Sequence, residues 1–137
     1  MTTDDRPLLP ESIRTPGLLL RRYRLTDAED VYDYARDPEW GRFMPPVPRP
    51  FERRHADKFV ARQVVANWRQ EPAWVIEHQG RVVGRVRLRL APRNGRADLG
   101  YSIARWLWGR GFTTEAVSAV IDEAFRWELI RNSASVI

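Results

Sequence analysis

Residues 82–90 read Val-Val-Gly-Arg-Val-Arg-Leu-Arg-Leu, and their strict alternation is the strongest constraint in the chain. A period of two sends Val82, Gly84, Val86, Leu88 and Leu90 to one face of an extended strand and Arg85, Arg87 and Arg89 to the other. Such a strand is half-buried. The fold must cover its apolar face and supply hydrogen-bonding neighbours for its edges. Both neighbours are legible. Gln79-Gly80 predicts a hairpin turn back to a strand over 72–77, and Asn94-Gly95 a second tight turn into a strand over 97–103.

The remaining segments surround this unit. Residues 18–25 read as a strand with mixed alternation. Thr26-x-x-Glu29 reads as a capping box that starts a helix over 27–36, and Asp37-Pro38 stops it. Residues 44–50, Met-Pro-Pro-Val-Pro-Arg-Pro, fit neither a helix interior nor a central strand and predict a stiff loop. A second helix is expected over 52–69, with Ala56, Phe59, Val60, Gln63, Val64, Asn67 and Trp68 on one face. A last helix is expected over 114–128, with Ala116, Val117, Val120, Ile121, Ala124 and Phe125 as its apolar face. Trp40, Trp68, Trp74 and Trp127 stand at core-like spacings. Residues 1–14 are expected as a flexible N-terminal tail. Residues 15–137 are expected as a single α/β domain, a mostly antiparallel central sheet with flanking helices.

Composition narrows the class. A chain of 137 residues suits one domain. No apolar run approaches the roughly 18 residues of a membrane span. The acidic start Met1-Thr2-Thr3-Asp4-Asp5 does not read as a secretory signal. With 0 Cys there is no disulfide framework and no Cys-based metal site, which suits a cytoplasmic protein. His55 and His78 are isolated in sequence, so no metal site is expected and both read as surface or packing residues. The net charge is +5, and Lys58 is the only lysine among 23 basic residues; the others are arginines. Arginine suits bidentate phosphate contact, and it is also what GC-rich coding supplies.

Between the strand over 97–103 and the last helix lies Trp108-Gly109-Arg110-Gly111-Phe112-Thr113-Thr114-Glu115. A Gly-x-Gly turn feeding a helix N-terminus is a ready anion site. The first helical N–H groups lack intrahelical partners, the macrodipole adds positive potential, and glycine lets the backbone approach a phosphate. Backbone N–H groups of Arg110, Gly111, Phe112, Thr113 and Thr114 form the candidate cradle, with Arg105 and Arg110 as added charge. Trp106 and Trp108 either wall an adjoining slot or anchor the loop.

The run from Ala97 through Trp108-Gly109-Arg110-Gly111-Phe112-Thr113-Thr114-Glu115-Ala116 resembles the acetyl-CoA-binding motif of the GNAT superfamily of N-acetyltransferases. It looks closest to the branch that includes the ribosomal-protein alanine acetyltransferases. Leu18-Leu19-Leu20-Arg21-Arg22-Tyr23 with Thr26-Asp27-Ala28-Glu29-Asp30 is similar to that branch's first strand and helix, and Trp74-Val75-Ile76-Glu77 with Val82-Val83-Gly84 to its central hairpin. The resemblance implies acetyl-CoA as co-substrate. Acetyl would pass to a primary amine, on a protein N-terminus or a small molecule, by direct attack in a ternary complex. Pyrophosphate would sit on the Trp108–Thr114 turn, and the pantetheine arm would pair with the backbone at the end of the 97–103 strand. Ile103 and Ala104 would bind the cofactor, with backbone N–H groups near Ile103 serving the oxyanion. Asp98 is the candidate base, and Tyr101 a candidate proton donor to the leaving thiolate. Ser135 is a second donor, because Asn132-Ser133-Ala134-Ser135 resembles the Asn-x-x-Ser that opens the family's next helix. Glu115 is expected to point away from the pyrophosphate, which it would repel.

Two departures accompany the resemblance. Trp106 stands where the family often has Gln or Arg. The family also continues with a strand, a helix and a final pair of strands, whereas only residues 130–137 remain here, so the last strands are expected to be missing. The 97–103 strand is then expected as a sheet edge and the last helix as partly uncovered, which favours self-association, a homodimer included. A rival reading takes Arg85, Arg87 and Arg89 with Arg21, Arg22 and Arg24 as a non-catalytic basic binding surface for nucleic acid. It lacks interleaved aromatics or a helix-turn-helix, and ranks second.

Overall fold

The structure, a computed structural model, describes residues 8–42, 44, 47–91, 96–127 and 135–136. Strands β1 (Ser12–Arg14) and β2 (Leu19–Arg22) lead into a 3-10 turn at Leu25–Asp27 and helices α1 (Ala28–Ala35), α2 (Pro38–Gly41) and α3 (Arg53–Val65). Strands β3 (Ala73–His78), β4 (Arg81–Ala91) and β5 (Arg96–Ile103) follow, then a 3-10 turn at Arg105–Leu107, helix α4 (Phe112–Arg126) and strand β6 (Ser135–Val136). The strands form one sheet in the order β1-β2-β3-β4-β5-β6. Every pairing is antiparallel except β5–β6, which is parallel.

The central hairpin forms as its sequence predicts. Gln79 and Gly80 both adopt positive φ, 51° and 80°, the conformation a two-residue turn needs to follow the strand twist. Alternation in β4 also holds. Val86 and Leu88 are fully buried, while Arg85 and Arg87 lie on the face that α1 and α3 cover and share a cavity with both helices. Helix α4 contacts β4 and β5 and supplies Ala116, Val120 and Ala124, each 0% exposed. Phe125 and Trp127 are exposed rather than packed, because no described element lies over that end of α4. No described helix is long and apolar enough to cross a membrane.

Several boundaries depart from the sequence reading. Residues 8–14 are not a loose tail. They include β1, bury Leu9 and Ile13, and offer the carbonyls of Leu9 and Pro10 to the indole N–H groups of Trp68 and Trp74, each at 2.9 Å. Thr26 does not cap α1; Asp27 is the N-cap residue, without a side-chain capping bond, and its carboxylate accepts the N–H of Arg24 at 2.8 Å. That carboxylate is 4% exposed and forked by the Arg21 guanidinium at 2.9 and 3.0 Å, and Arg21 also reaches Glu77 at 2.8 Å. Asp37-Pro38 both ends α1 and starts α2, with the Asp37 side chain accepting the Glu39 N–H. Helix α3 stops at Val65, since Ala66 is extended, which leaves Asn67 exposed in the following turn. The Asn94-Gly95 turn lies outside the described residues.

Ser135 stands in β6 and opens no helix. Residues 132–134 of the supposed motif lie outside the described residues. The expected bare edge of β5 is therefore partly paired, with Asp98 and Leu99 opposite Ser135 and Val136.

Candidate functional site

The register between β4 and β5 decides which backbone groups are free. Ala104 donates its N–H to Val83 at 2.7 Å, one residue outside the Gly84–Ile103 pair. That pair is thus a wide, non-hydrogen-bonded one. The alternation is unbroken along the ladder, so Val86–Tyr101 and Leu88–Leu99 are also wide pairs. The peptide groups of Leu99, Tyr101 and Ile103 consequently point away from β4, toward the side that carries β6. Among the described residues β6 reaches only Asp98 and Leu99, so the outward groups of Tyr101 and the N–H of Ile103 have no strand partner among them. Gly84 permits this tight ladder. A Cβ there would stand 2.2 Å from the Ser102 carbonyl oxygen.

Beyond Ile103 the chain turns into the glycine loop. Trp108 donates its indole N–H to the Ile103 carbonyl at 2.9 Å and remains 37% exposed, so it both anchors the loop and walls the adjoining space. Gly109 and Gly111 adopt φ of 77° and 83°, and neither would crowd a neighbour with a Cβ. Gly111 is the N-cap of α4 without any side-chain capping bond, and the first intrahelical bond is Glu115 N–H to Gly111 at 3.0 Å. The N–H groups of Phe112, Thr113 and Thr114 therefore lack helical partners and open toward the loop. Glu115 is turned away from them: its carboxylate accepts the Gly17 N–H at 2.8 Å and the Thr15 hydroxyl.

Two of the expected contributors are committed elsewhere. Ala104 is fully buried, with its N–H on Val83 and its carbonyl on the Leu107 N–H, so it offers no free group. Arg105 pairs with Asp37, and this contact holds the Asp37 carboxyl below its ordinary range and raises the Arg105 value. Arg110 is exposed at the loop, and Trp106 is exposed with the Arg81 guanidinium 5.4 Å over its ring.

Tyr101 is the expected catalytic residue that the fold places best. Half-exposed, it lines two neighbouring cavities. The smaller, about 360 Å³, lies between Met44, Tyr101, Ser102, Ile103, Trp108 and Thr113, beside the free peptide groups. The larger, about 460 Å³, lies between α1, α3 and the arginine face of the sheet. Asp98 lines neither; it sits half-buried opposite Arg89. The larger cavity, whose walls include Tyr34, Trp40, Phe51 and Phe59, has no local sequence signature, because α1, α3 and β4 meet only in the fold. Arg49 ties the loop before α3 to α1. It crosses Gly41, where a Cβ would fall 1.8 Å from Nη2, and donates to the last carbonyls of α1 at 3.1 and 3.5 Å. His55 also lines this cavity, with Nδ1 accepting the Glu52 N–H at 2.9 Å, and His78 packs on Phe112 at 4.6 Å.

The arginines of the rival reading do not form one exposed surface. Arg21 is held by Asp27 and Glu77, Arg22 by Glu11, and Arg89 by Glu71, while Arg85 stacks on Phe59.

Comparison with known proteins agrees with this fold. The acetyltransferase (GNAT) domain matches residues 17–135, and the chain belongs to that family. It is 29% identical over 118 residues to the uncharacterized N-acetyltransferase p20 of Bacillus licheniformis, covering 84% of this chain and 66% of that protein, just under two thirds of its length. The microcin C7 self-immunity acetyltransferase MccE, solved with acetyl-CoA and AMP, superposes with a TM-score of 0.76 at 20% identity, over 90% of this chain and 72% of that one. The ribosomal L7/L12 alpha-N-protein acetyltransferase RimL, solved with coenzyme A, does so with 0.74 at 18% identity, over 91% and 71%.

Proposed function

We propose that the chain transfers acetyl from acetyl-CoA to a primary amine in a ternary complex. The observation that carries this reading is the β4–β5 register, which leaves the outward peptide groups of Tyr101 and the N–H of Ile103 without a strand partner among the described residues, beside a helix N-terminus with no side-chain cap. An extended amide-bearing arm adds to such an edge like another strand. The anionic end of the donor suits the Phe112, Thr113 and Thr114 N–H groups and the Gly109 and Gly111 turn, with Arg110 as outer charge. Acetyl-CoA supplies the activated thioester. The amine forms the C–N bond, the C–S bond breaks, and the amine's proton leaves to water or a base.

In this reading the Ile103 N–H stabilises the developing oxyanion, and Tyr101 hands its hydroxyl proton to the departing thiolate. Trp108 and Ile103 shape the slot. Asp98 is the weaker candidate for the base, acting through water, since it stands off both cavities. A catalytic role for Ser135 has no support from its place in β6. The larger cavity takes the acceptor. The absence of cysteine and the use of acetyl-CoA both suit a cytoplasmic protein.

Calorimetric titration of acetyl-CoA tests the reading, with a Gly111→Trp variant alongside. Micromolar binding that the variant loses supports it. A folded chain that binds no acetyl-CoA overturns it.

A further inference from the structure

The acceptor cavity has a one-sided charge. Lys58, Arg62, Arg85 and Arg87 line it, and no Asp or Glu does. Phe43, Pro45 and Pro46, outside the described residues, carry no charge. None of the four cations has a carboxylate partner among the described ion pairs. Arg87 is the most telling. Its Nη1 is buried without a hydrogen-bond partner, and its Nη2 lies so close over Gly100 that a Cβ there would be 2.9 Å away. A guanidinium nitrogen left unpaired in a cavity wall is costly unless something else supplies an acceptor. A second cavity of about 370 Å³ continues the first, sharing Phe59, Arg62, Arg85 and Arg87 and adding Arg89. Its one acid, Glu71, is already bonded to Arg89 at 2.8 Å. The other walls include the aromatic Tyr34, Trp40, Phe51 and Phe59 and the apolar Val31 and Met44.

We infer that the acceptor is a primary amine on an aromatic or apolar body that also carries an anionic group, carboxylate or phosphate, held by Arg87, Arg62 and Lys58. Polyamines and aminoglycosides are the wrong charge for this cavity. This inference rests on the proposed transferase reading only for the cavity's role. Binding of an anionic amine is measurable without any transfer.

The test uses matched probes without acetyl-CoA: phenethylamine against phenylalanine for carboxylate, tyramine against O-phosphotyramine for phosphate, and spermine as polycation. Calorimetry on the whole chain should show the anionic member of at least one pair binding about tenfold tighter than its neutral mate, the pair identifying the anion. Lys58→Gln and Arg62→Gln, both at exposed positions of α3, together should reduce that preference about tenfold. Equal affinities within both pairs, no binding of either anionic probe, tighter binding of spermine, or a preference untouched in the double variant overturns the inference. The acetyl-CoA titration reports separately on the transferase reading, so either can fail alone.

Discussion

The Glu115 carboxylate, in the first turn of α4, accepts the backbone N–H of Gly17 from the β1–β2 turn at 2.8 Å. An acid beside the glycine loop is thus turned into a tether between segments 98 residues apart. Its position also suits the helix dipole. Glu115→Ala should cost about 1.5 kcal/mol of stability in chemical denaturation while acetyl-CoA affinity holds or rises. If the variant lost transfer with unchanged stability, Glu115 would be part of the chemistry instead.

Gly84 and Gly111 should fail in opposite ways. Gly84→Ala places a methyl 2.2 Å from the Ser102 carbonyl oxygen, so it should cost at least the upper end of the about 1–3 kcal/mol typical of overpacking. Gly111→Ala meets no atom and should cost only the strain of φ 83°, about 1–2 kcal/mol. Acetyl-CoA affinity should nonetheless fall more in the folded Gly111 variant. Melting curves paired with titrations separate the two, and the reverse ranking in stability would contradict the register described here.

The Arg21–Asp27 fork ties β2 to the start of α1 with the Asp27 carboxylate 4% exposed. Arg21→Leu strands that charge and should destabilise by about 3–5 kcal/mol. A loss below about 1 kcal/mol would place the pair in solvent-like surroundings.

Arg105 lowers the Asp37 carboxyl. A carboxyl lowered in the folded state adds stability above its unfolded value, about 3.9, and loses it as pH falls through the folded value. An NMR titration should show Asp37 titrating below the ordinary aspartate range, and Arg105→Ala should return it there. An unchanged midpoint in the variant would deny the pairing in solution.

Tyr101→Phe should lower kcat about tenfold or more with little change in the KM for acetyl-CoA, whereas Asp98→Asn should stay within about twofold of the parent. A large kcat loss in Asp98→Asn alone would favour Asp98 as the base.

What was legible in the sequence was local. The Gln79-Gly80 turn, the β4 alternation and the glycine loop before α4 each depend on residues within one or two turns of one another. The misses depend on distance. Nothing in residues 8–14 announces a strand, since β1 is fixed by indole donors of Trp68 and Trp74, 59 and 64 residues away from the carbonyls they reach. Alternation put Arg85 and Arg87 on one face but could not say that α1 and α3 would roof it. Ser135 stands in a strand opposite Asp98 rather than at a helix start, because a four-residue pattern carries no register.

Lys58, in the wall of the cavity proposed for the acceptor, is the only lysine of this sequence. Apart from an α-amine, an amine-directed fluorophore, crosslinker or stray acetyl group has one side-chain address in this chain, on the wall of that cavity. The chain carries its own single-site handle for watching that cavity fill.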